Sequence, residues 1–255
     1  VCVKYGTKEW LEAQYSHSRS DPWGLDWRPS QKYRYLIMLE ALNQAITEAW
    51  QPLRVLDVGC ATGLFTALLS HVGKPEAAVV TGIDIAESAI TRARLRFPNI
   101  EFLAMSLDEY ATKQHAPIDI IVCLEMLYYL DPGQRRDALH KIRHLLRPGG
   151  LVLISSMIAQ QPYMSPRELH DLVAGELEVI GSGVLYLKPV VLAEKLLMRI
   201  QALLPIPAGN SRIKNTSPER SRTSGTRLLA RVAQILFGRR AQSHAYVLAR
   251  HPGRI

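Results

Sequence analysis

Apolar residues are concentrated in seven short runs, and the segments between the first five runs repeat apolar positions at helical spacing. Short runs bounded by turn residues predict strands, and their alternation with helices predicts a parallel sheet wrapped by helices. Ligands of such sheets bind at the carboxyl ends of the strands. We therefore predict an α/β fold with strands at residues 53–58, 78–84, 100–104, 118–124, 150–157, 177–184 and 244–250.

A tight turn follows the first predicted strand, in the sequence VLDVGCATG from Val55 to Gly63. The chain must turn there into a helix at residues 64–70, and Gly59 and Gly63 permit the positive φ angles and the close backbone approach that this turn needs. The loop lacks the middle glycine of the G-x-G-x-x-G fingerprint, which lets a pyrophosphate approach. A ligand without phosphates is therefore favoured over a dinucleotide, and a turn that binds nothing is the structural alternative.

A second acidic residue, Asp84, ends the next predicted strand, 27 residues after Asp57. A carboxylate in that place can accept hydrogen bonds from both hydroxyl groups of a ribose. The two acids and the glycine turn together predict a pocket for an adenosine-type ligand.

Four ordered features resemble the class I S-adenosylmethionine-dependent methyltransferases, from about Val55 to Met157. They are the glycine loop, the Asp84 strand end, the segment EFLAMSLDEY, and the run IDIIVCLEMLYYL with Glu125 at the mouth of the site. The segment LLRPGGLVLISS matches the helix, turn and fifth strand of that fold. The resemblance implies a Rossmann-like seven-stranded sheet whose last strand runs antiparallel, with S-adenosylmethionine as the cofactor and no metal.

The same resemblance assigns parts of the cofactor to individual positions. The glycine loop would hold the methionyl part, Asp57 its amino group, Asp84 the ribose and Ser106 the adenine. The contacts it implies are Tyr15, Arg34, Asp57, Gly59, Cys60, Ala61, Gly63, Asp84, Ile85, Ser106, Leu107 and Leu124.

The amino-terminal stretch from Ala13 to Leu42 combines aromatic with basic residues, namely Tyr15, Trp23, Trp27, Tyr33 and Tyr35 beside Arg28, Lys32 and Arg34. Together with LEMLYYL it resembles the rhizobial nodulation-factor N-methyltransferases. That resemblance implies a helical lid over the cofactor, with Tyr15 and Arg34 at the methionyl carboxylate, and a saccharide acceptor. Gln31 stands where glutamate is usual, and Cys123 and Leu124 also depart from the pattern, so the acceptor stays open. Packing of the lid onto the core would also explain the aromatic residues.

Methyl transfer from an activated sulfonium needs chiefly alignment of the reacting atoms and exclusion of water. An amine acceptor must be neutral to attack, so a carboxylate or phenol that takes its proton would help. Glu125 is the first candidate, and Tyr128 or Tyr129 is the second. The alternatives are a structural or helix-capping role for Glu125, and packing for at least one tyrosine, since adjacent residues point to different faces.

The segment from Leu185 to Ser243 holds eleven Lys and Arg residues against Glu194 and Glu219, so that the chain's whole positive excess of +8 resides there. Its sequence predicts two amphipathic helices, at 190–206 and 227–240, joined by a mobile polar segment at 207–225. An anionic membrane, plain packing of a helical pair on the core, and RNA would each account for the basic charge. Specific RNA binding is disfavoured, because Tyr186 and Phe237 alone could stack on bases.

Composition agrees with a protein of the reducing cytoplasm, peripheral to a membrane if the insertion binds one. Three cysteines do not suffice for a disulfide framework, and Cys60 is interpreted as a small residue that fits the loop. His140 and His144 are interpreted as part of a solvated helix face rather than as metal ligands.

We expect a lid at 1–50, a methyltransferase core at 51–184 and 244–255, and a basic insertion at 185–243. The predicted function is methyl transfer to nitrogen or oxygen of a small-molecule, saccharide or glycolipid-like acceptor. An RNA methyltransferase and a catalytically silent membrane or protein adaptor are the alternatives.

Overall fold

The computed structural model describes residues 4–16, 21–46, 53–73, 78–113, 116–159, 162–203 and 220–253. The strands β1 to β7 span Leu53–Val58, Ala78–Asp84, Glu101–Ala104, Ile118–Leu124, Leu146–Met157, Glu178–Leu185 and His244–Arg250. The helices α1 to α9 span Lys8–Ser16, Pro29–Ala45, Leu64–Leu69, Glu87–Arg96, Leu107–Ala111, Pro132–Leu145, Pro166–Ala174, Lys188–Leu203 and Arg220–Phe237. All seven predicted strands are confirmed.

The strands form one sheet in the order β3-β2-β1-β4-β5-β7-β6, in which β7 runs antiparallel to both of its neighbours. This confirms the predicted Rossmann-like class I sheet. The chain winds outward from β1 through β2 to β3 and then crosses back to β4 on the other side of β1. The carboxyl ends of β1 and β4 therefore form the switch point at which sheets of this kind bind ligands.

Strand β5 begins earlier than its apolar run indicates. Leu146 already pairs with Ile118, and pairing is then interrupted and resumes with Leu151 opposite Ile120. The bulge contains Gly149 at φ 76°, a conformation that glycine adopts without steric cost. The predicted Gly-Gly turn is thus an irregularity inside the strand.

Strand β4 shows why the central runs are continuously apolar. Ile121 and Cys123 pack in a core under α6 and α7, whereas Ile120 and Val122 pack on the opposite face with residues of α2, α3 and α9. Successive side chains of a strand point to opposite faces, so a strand covered on both sides must be apolar at every position.

The amino-terminal helices and the insertion lie against each other. The backbone N–H and hydroxyl of Ser30, at the start of α2, each donate to Glu194 of α8 at 2.7 Å. Arg227 of α9 forms an ion pair with Glu40 of α2 at 3.4 Å.

The two helices predicted for the insertion are confirmed as helices, although α9 begins at Arg220. Residues 220–225 are therefore helical rather than part of a mobile connection, and residues 204–219 lie outside the described residues. No helix among the described residues has the length and hydropathy to cross a bilayer.

Candidate active site

A cavity of about 780 Å³ lies at the switch point, bounded by the loops after β1, β2, β3 and β4 and by the amino-terminal residues. Every site residue named from the sequence lines it except Gly63. The structure thus brings together side chains from four strand ends and from α1 and α2.

The loop after β1 has three residues at positive φ: Gly59 at 77°, Ala61 at 50° and Gly63 at 78°. The N–H groups of Gly59 and Cys60 donate to the carbonyl of Ile83 at 2.8 and 3.0 Å, and that of Gly63 donates to the carbonyl of Cys60 at 3.0 Å. A phosphate-binding loop presents free N–H groups to its anion, whereas these are occupied within the protein. The loop therefore suits a ligand that lacks phosphates.

Asp84 connects the loops that follow β1 and β2. Its Oδ2 accepts from the N–H of Ala61 and its Oδ1 from the N–H of Ala86, both at 2.9 Å. Burial raises the pKa of this carboxyl, while its backbone hydrogen bonds oppose the rise. Each carboxylate oxygen can accept a second hydrogen bond, and Asp84 lines the cavity, so the carboxylate can still hold two hydroxyl groups.

Asp57 is buried beneath the loop, and its Oδ2 accepts from the hydroxyl of Thr66 at 2.7 Å. Burial, with a smaller contribution from Asp84, raises the pKa of Asp57 to about 7. The negative charge of Asp84 nearby, and that of Asp57 when it is ionised, favours a cationic group at this site.

Glu125 directly follows β4 and lies at φ 58°, a left-handed conformation that is uncommon for glutamate. Its Oε1 accepts from the hydroxyl of Ser155 at 2.7 Å and lies 3.2 Å from Nη1 of Arg34. The side chain of Arg34 is buried, at 5% exposure, and that of Glu125 is largely covered, at 13%. The helix-capping alternative is wrong, because the carboxylate contacts Ser155 and Arg34 instead of a helix amino terminus.

Several buried polar atoms of residues that line the cavity have no partner within the described residues. They are Oε2 of Glu125, Nε of Arg34, Oε1 of Gln31 and Nε of Arg28. Buried polar groups are almost always hydrogen-bonded, so these atoms indicate a polar ligand or ordered water in the cavity.

Aromatic rings form the wall beside Glu125. Tyr129 lies 5.3 Å from Tyr5 and 6.1 Å from Trp10, and Tyr128 lies 4.8 Å from Tyr163, measured between ring centroids. The rings of Tyr128 and Tyr129 are 4.7 Å apart and both residues line the cavity. The expected separation onto different faces is wrong, because a short 3₁₀ turn at Leu127–Tyr129 directs both to the cavity.

The comparisons with known proteins agree with this geometry. Residues 55–150 match the family model described as a methyltransferase domain. The match identifies a methyltransferase domain over these residues, and the sheet order is that of a class I methyltransferase. The chain carries a class I S-adenosylmethionine-dependent methyltransferase domain.

Curated relatives match the methyltransferase domain over part of their length. A ubiquinone biosynthesis O-methyltransferase of Bordetella avium is 33% identical over 51% of this chain and 55% of its own length. Nodulation protein S of Sinorhizobium fredii is 35% identical over 54% of this chain and 61% of its own length. The chain therefore spans little more than half of the relatives it matches.

A solved structure extends the likeness of fold to nearly the whole chain. The N-methyltransferase NodS of Bradyrhizobium japonicum WM9, solved with S-adenosyl-L-homocysteine, gives a TM-score of 0.61 at 20% identity. The alignment covers 97% of this chain and 99% of that one.

Some residues named from the sequence make contacts within the protein that the sequence did not indicate. Ser106 caps α5, since its hydroxyl accepts from the N–H of Glu109 at 3.1 Å, which leaves its own proton available to a ligand. Tyr15 accepts from Nε1 of Trp23 at 3.0 Å. Trp27 is 45% exposed, and Tyr33 packs in the core. Arg34 already pairs with Glu125, so a ligand carboxylate would share its guanidinium.

Four lining residues have no signal in the sequence: Tyr5, Trp10, Tyr163 and His244. The first two precede the stretch in which aromatic residues cluster, and Tyr163 follows β5 without a motif. His244 belongs to the last strand, and burial lowers its pKa to about 4, so its imidazole is neutral near pH 7. These side chains come to line the same cavity as Glu125 only through the folding of the chain.

Gly63 supports the loop from behind, and its replacement provides a stability test. A Cβ at this position would lie 2.6 Å from the ring of Phe102, and the residue is at φ 78°. We expect Gly63→Ala to lower the free energy of unfolding by about 2 to 4 kcal/mol through overpacking and backbone strain. Urea denaturation followed by circular dichroism measures the change.

The matched control for this substitution is Gly133→Ala in the first turn of α6, where a Cβ would meet nothing within 4 Å. Alanine favours helix, so we expect this variant to be unchanged or stabilised by up to about 1 kcal/mol. Equal unfolding free energies for the two variants would contradict the packing role of Gly63.

Proposed function

We propose that this protein transfers the methyl group of S-adenosylmethionine to nitrogen or oxygen of a small-molecule acceptor, with an amino sugar or another saccharide, free or lipid-linked, favoured. The observation that carries the proposal is the unpartnered Oε2 of Glu125 in the same cavity as Asp84 and the glycine loop. One end of the cavity thus suits an adenosine-type cofactor, and the other presents a carboxylate to an acceptor.

The residues present fit the cofactor. Asp84 would hold the ribose hydroxyls, Asp57 would face the ammonium group, and Ser106 would donate towards the adenine. Tyr15, Arg34 and the backbone of the glycine loop would enclose the methionyl part. When bound, S-adenosylmethionine supplies a methyl group already activated by its sulfonium, so the protein's task is positioning and exclusion of water.

Glu125 is the proton acceptor we propose. Oε2 would take the proton that a neutral acceptor nitrogen loses once it is methylated; the bound cofactor would supply the methyl group, and its sulfur would keep the electrons of the broken carbon–sulfur bond. An acceptor hydroxyl would react in the same way. Arg34 and Ser155 hold Oε1, which fixes the direction of Oε2.

The tyrosines are better suited to binding than to taking protons. Burial, with the charge of Glu125, raises the pKa of Tyr128 well above its ordinary value, and burial also raises that of Tyr129. Both phenols are therefore neutral near pH 7, and each can donate or accept a hydrogen bond. The flat aromatic wall offers apolar surface against which the ring of an acceptor can pack.

The names of the relatives support a small acceptor and leave the accepting atom open. The N-methyltransferase NodS favours nitrogen, whereas the ubiquinone biosynthesis O-methyltransferase favours oxygen. We favour nitrogen, because a buried carboxylate without a second partner suits an amine that must bind, lose a proton and react.

We further propose that residues 1–50 act as a lid, 51–184 with 244–255 as the core, and 185–243 as an insertion. The lid is tied to α4, where the N–H of Ser88 donates to Oε2 of Glu12 at 3.2 Å and the Ser88 hydroxyl donates to Oε1. A reducing cytoplasm is the compartment we propose, and the cysteines among the described residues, Cys60 and Cys123, are buried and free.

Transfer of labelled methyl groups tests the proposed acceptor class. The protein is incubated with methyl-labelled S-adenosylmethionine and, in parallel, with amino sugars, a lipid extract and total RNA. We expect label in saccharide or lipid-linked saccharide. Label confined to RNA would replace the proposal with the RNA alternative, and cofactor binding without turnover on any extract would favour the adaptor.

We expect the affinity for the cofactor to depend on pH because the pKa of Asp57 is raised. Its pKa of about 7 in the folded protein lies above that of an unfolded aspartate, so the protonated form is favoured in the folded state between the two values. The stability of the ligand-free protein therefore falls as pH rises through this window. The ammonium of S-adenosylhomocysteine favours the ionised form, so binding should release a proton and tighten about tenfold between about pH 6 and pH 8.

Calorimetric titration across this pH range measures the effect, and Asp57→Asn should remove most of the pH dependence. An equally steep pH dependence in Asp57→Asn would show that another group, such as Asp84, causes it.

A further inference from the structure

Helix α9 turns its small residues towards the protein and its large apolar residues towards solvent. Thr226, Ala230 and Ala233 are buried, at i, i+4 and i+7 along one helical face. Five exposed apolar side chains lie on the other face, namely Leu228, Leu229, Val232, Ile235 and Leu236, with exposed fractions from 41% for Val232 to 81% for Ile235. Phe237, the last residue of α9, is also exposed.

These five side chains recur at i, i+1, i+4, i+7 and i+8, so they share one stripe of the helix. A helix on the surface of a globular protein normally buries such a stripe and exposes its small or polar residues. Contiguous exposed apolar surface of this kind marks an interaction site. We call this stripe the outer face of α9.

Helix α8, which packs beside α9, continues the pattern. Leu192 and Leu196 are 69% and 58% exposed, one turn apart. Their neighbour Glu194 is buried in its contact with Ser30, which fixes the orientation of α8 against the start of α2.

The charge around the outer face has a single sign. Residues 220–240 contain six arginines and no acidic residue. Arg231, Arg239 and Arg240 are exposed, as are Lys195 and Arg199 on α8. An amphipathic helix with a large apolar stripe and basic flanks is the arrangement that lies in the interface of an anionic membrane, with apolar side chains in the acyl boundary and basic ones at the headgroups.

We propose that the outer face of α9 binds an anionic lipid surface, with α8 beside it as a second point of contact. The helix stays on the protein through Thr226, Ala230 and Ala233, and the exposed apolar side chains enter the headgroup boundary. The proposal goes beyond methyl transfer and does not depend on it.

Vesicle flotation tests the proposal on the full chain. Vesicles of equimolar phosphatidylglycerol and phosphatidylcholine are compared with vesicles of phosphatidylcholine alone. We expect the protein to float with the anionic vesicles, to partition at least about tenfold less to the neutral ones, and to be released by high salt.

Two triple variants separate the two contributions. Leu229→Gln/Ile235→Gln/Leu236→Gln should lower partitioning to anionic vesicles at least about tenfold, since three insertable side chains are lost. Arg231→Gln/Arg239→Gln/Arg240→Gln should lower it about a hundredfold. The matched controls are Leu95→Gln, at a leucine of α4 that is also 81% exposed, and Arg167→Gln, at an arginine whose side chain is 90% exposed, and both should float like the unchanged protein.

Other occupants of the outer face give different results. Absence of flotation with anionic vesicles overturns the proposal, as does an apolar-face variant that floats like the Leu95→Gln control. A protein that is dimeric in light scattering, becomes monomeric in the apolar-face variant and does not float would show that a second copy covers the face. Thermal melting of each variant confirms that the fold is retained, because all six substituted side chains are exposed.

Discussion

Alanine in place of Asp84 will abolish measurable binding of S-adenosylhomocysteine. The carboxylate would lose two charge-assisted hydrogen bonds to the ribose, each contributing about 1.5 to 3 kcal/mol, which corresponds to a loss of affinity of roughly two to four orders of magnitude. The substitution also frees the N–H groups of Ala61 and Ala86, which hold the two loops against each other. Calorimetric titration of the purified variant measures the loss.

Asp171→Ala is the matched control for this experiment. Asp171 is an exposed carboxylate on α7 and does not line the cavity, so its removal should leave the affinity unchanged. Near-ultraviolet circular dichroism shows whether Asp84→Ala retains its tertiary packing. A folded Asp84→Ala variant that binds within about threefold of the unchanged protein would refute the ribose role of Asp84.

Glutamine in place of Glu125 will lower kcat for methyl transfer by about 10² to 10⁴, the usual contribution of a positioned general base. Glutamine keeps the shape of the side chain and can still contact Arg34 and Ser155 through its carbonyl oxygen, but its amide replaces the proton-accepting Oε2. Affinity for S-adenosylhomocysteine should change only a few-fold, because Glu125 is not itself a proposed cofactor contact and the glutamine carbonyl can still hold Arg34, which lies 3.2 Å from Oε1 of Glu125. Single-turnover kinetics with labelled S-adenosylmethionine separate the two effects.

Glu178→Gln provides the control, since Glu178 is exposed on the edge strand β6, outside the cavity. A kcat for Glu125→Gln equal to that of the control would assign Glu125 a structural role. An equal loss of cofactor affinity and of kcat would instead place Glu125 at the cofactor.

The sheet could be predicted because its signals are local. Central strands covered on both faces must be apolar throughout, and the runs around Leu56 and Ile121 show this directly. Parallel pairing of β1 with β2, with Asp57 opposite Gly82, places Asp57 and Asp84 at the same edge, as their spacing indicated. The part of the cavity that we propose for the cofactor follows from these local features.

The part of the cavity that we propose for the acceptor could not be predicted in full, since it depends on tertiary packing. The pairing of Arg34 with Glu125 requires α2 to lie over the end of β4, and nothing in either segment specifies the other. Tyr5, Trp10 and Tyr163 reach the same wall from separate parts of the chain. The sequence named Glu125 correctly as a cavity residue, but not its partners or its unpartnered oxygen.

Helix α9 shows that the periodicity of a sequence does not determine which face of a helix is buried. Its periodicity predicts an amphipathic helix, and the hydrophobic effect favours burial of the leucine-rich face. The structure buries the face of Thr226, Ala230 and Ala233 instead, where small side chains let α9 approach α2 closely. Which face is buried depends on the surface available, and that surface is known only from the fold.

A crystal structure of the protein with S-adenosylhomocysteine would show directly where the cofactor binds. We expect both ribose hydroxyls to contact the Asp84 carboxylate and the sulfur to face Glu125 and the wall formed by Tyr128 and Tyr129. A ligand bound outside this cavity, or with its sulfur turned away from Glu125, would show that methyl transfer does not take place beside Glu125.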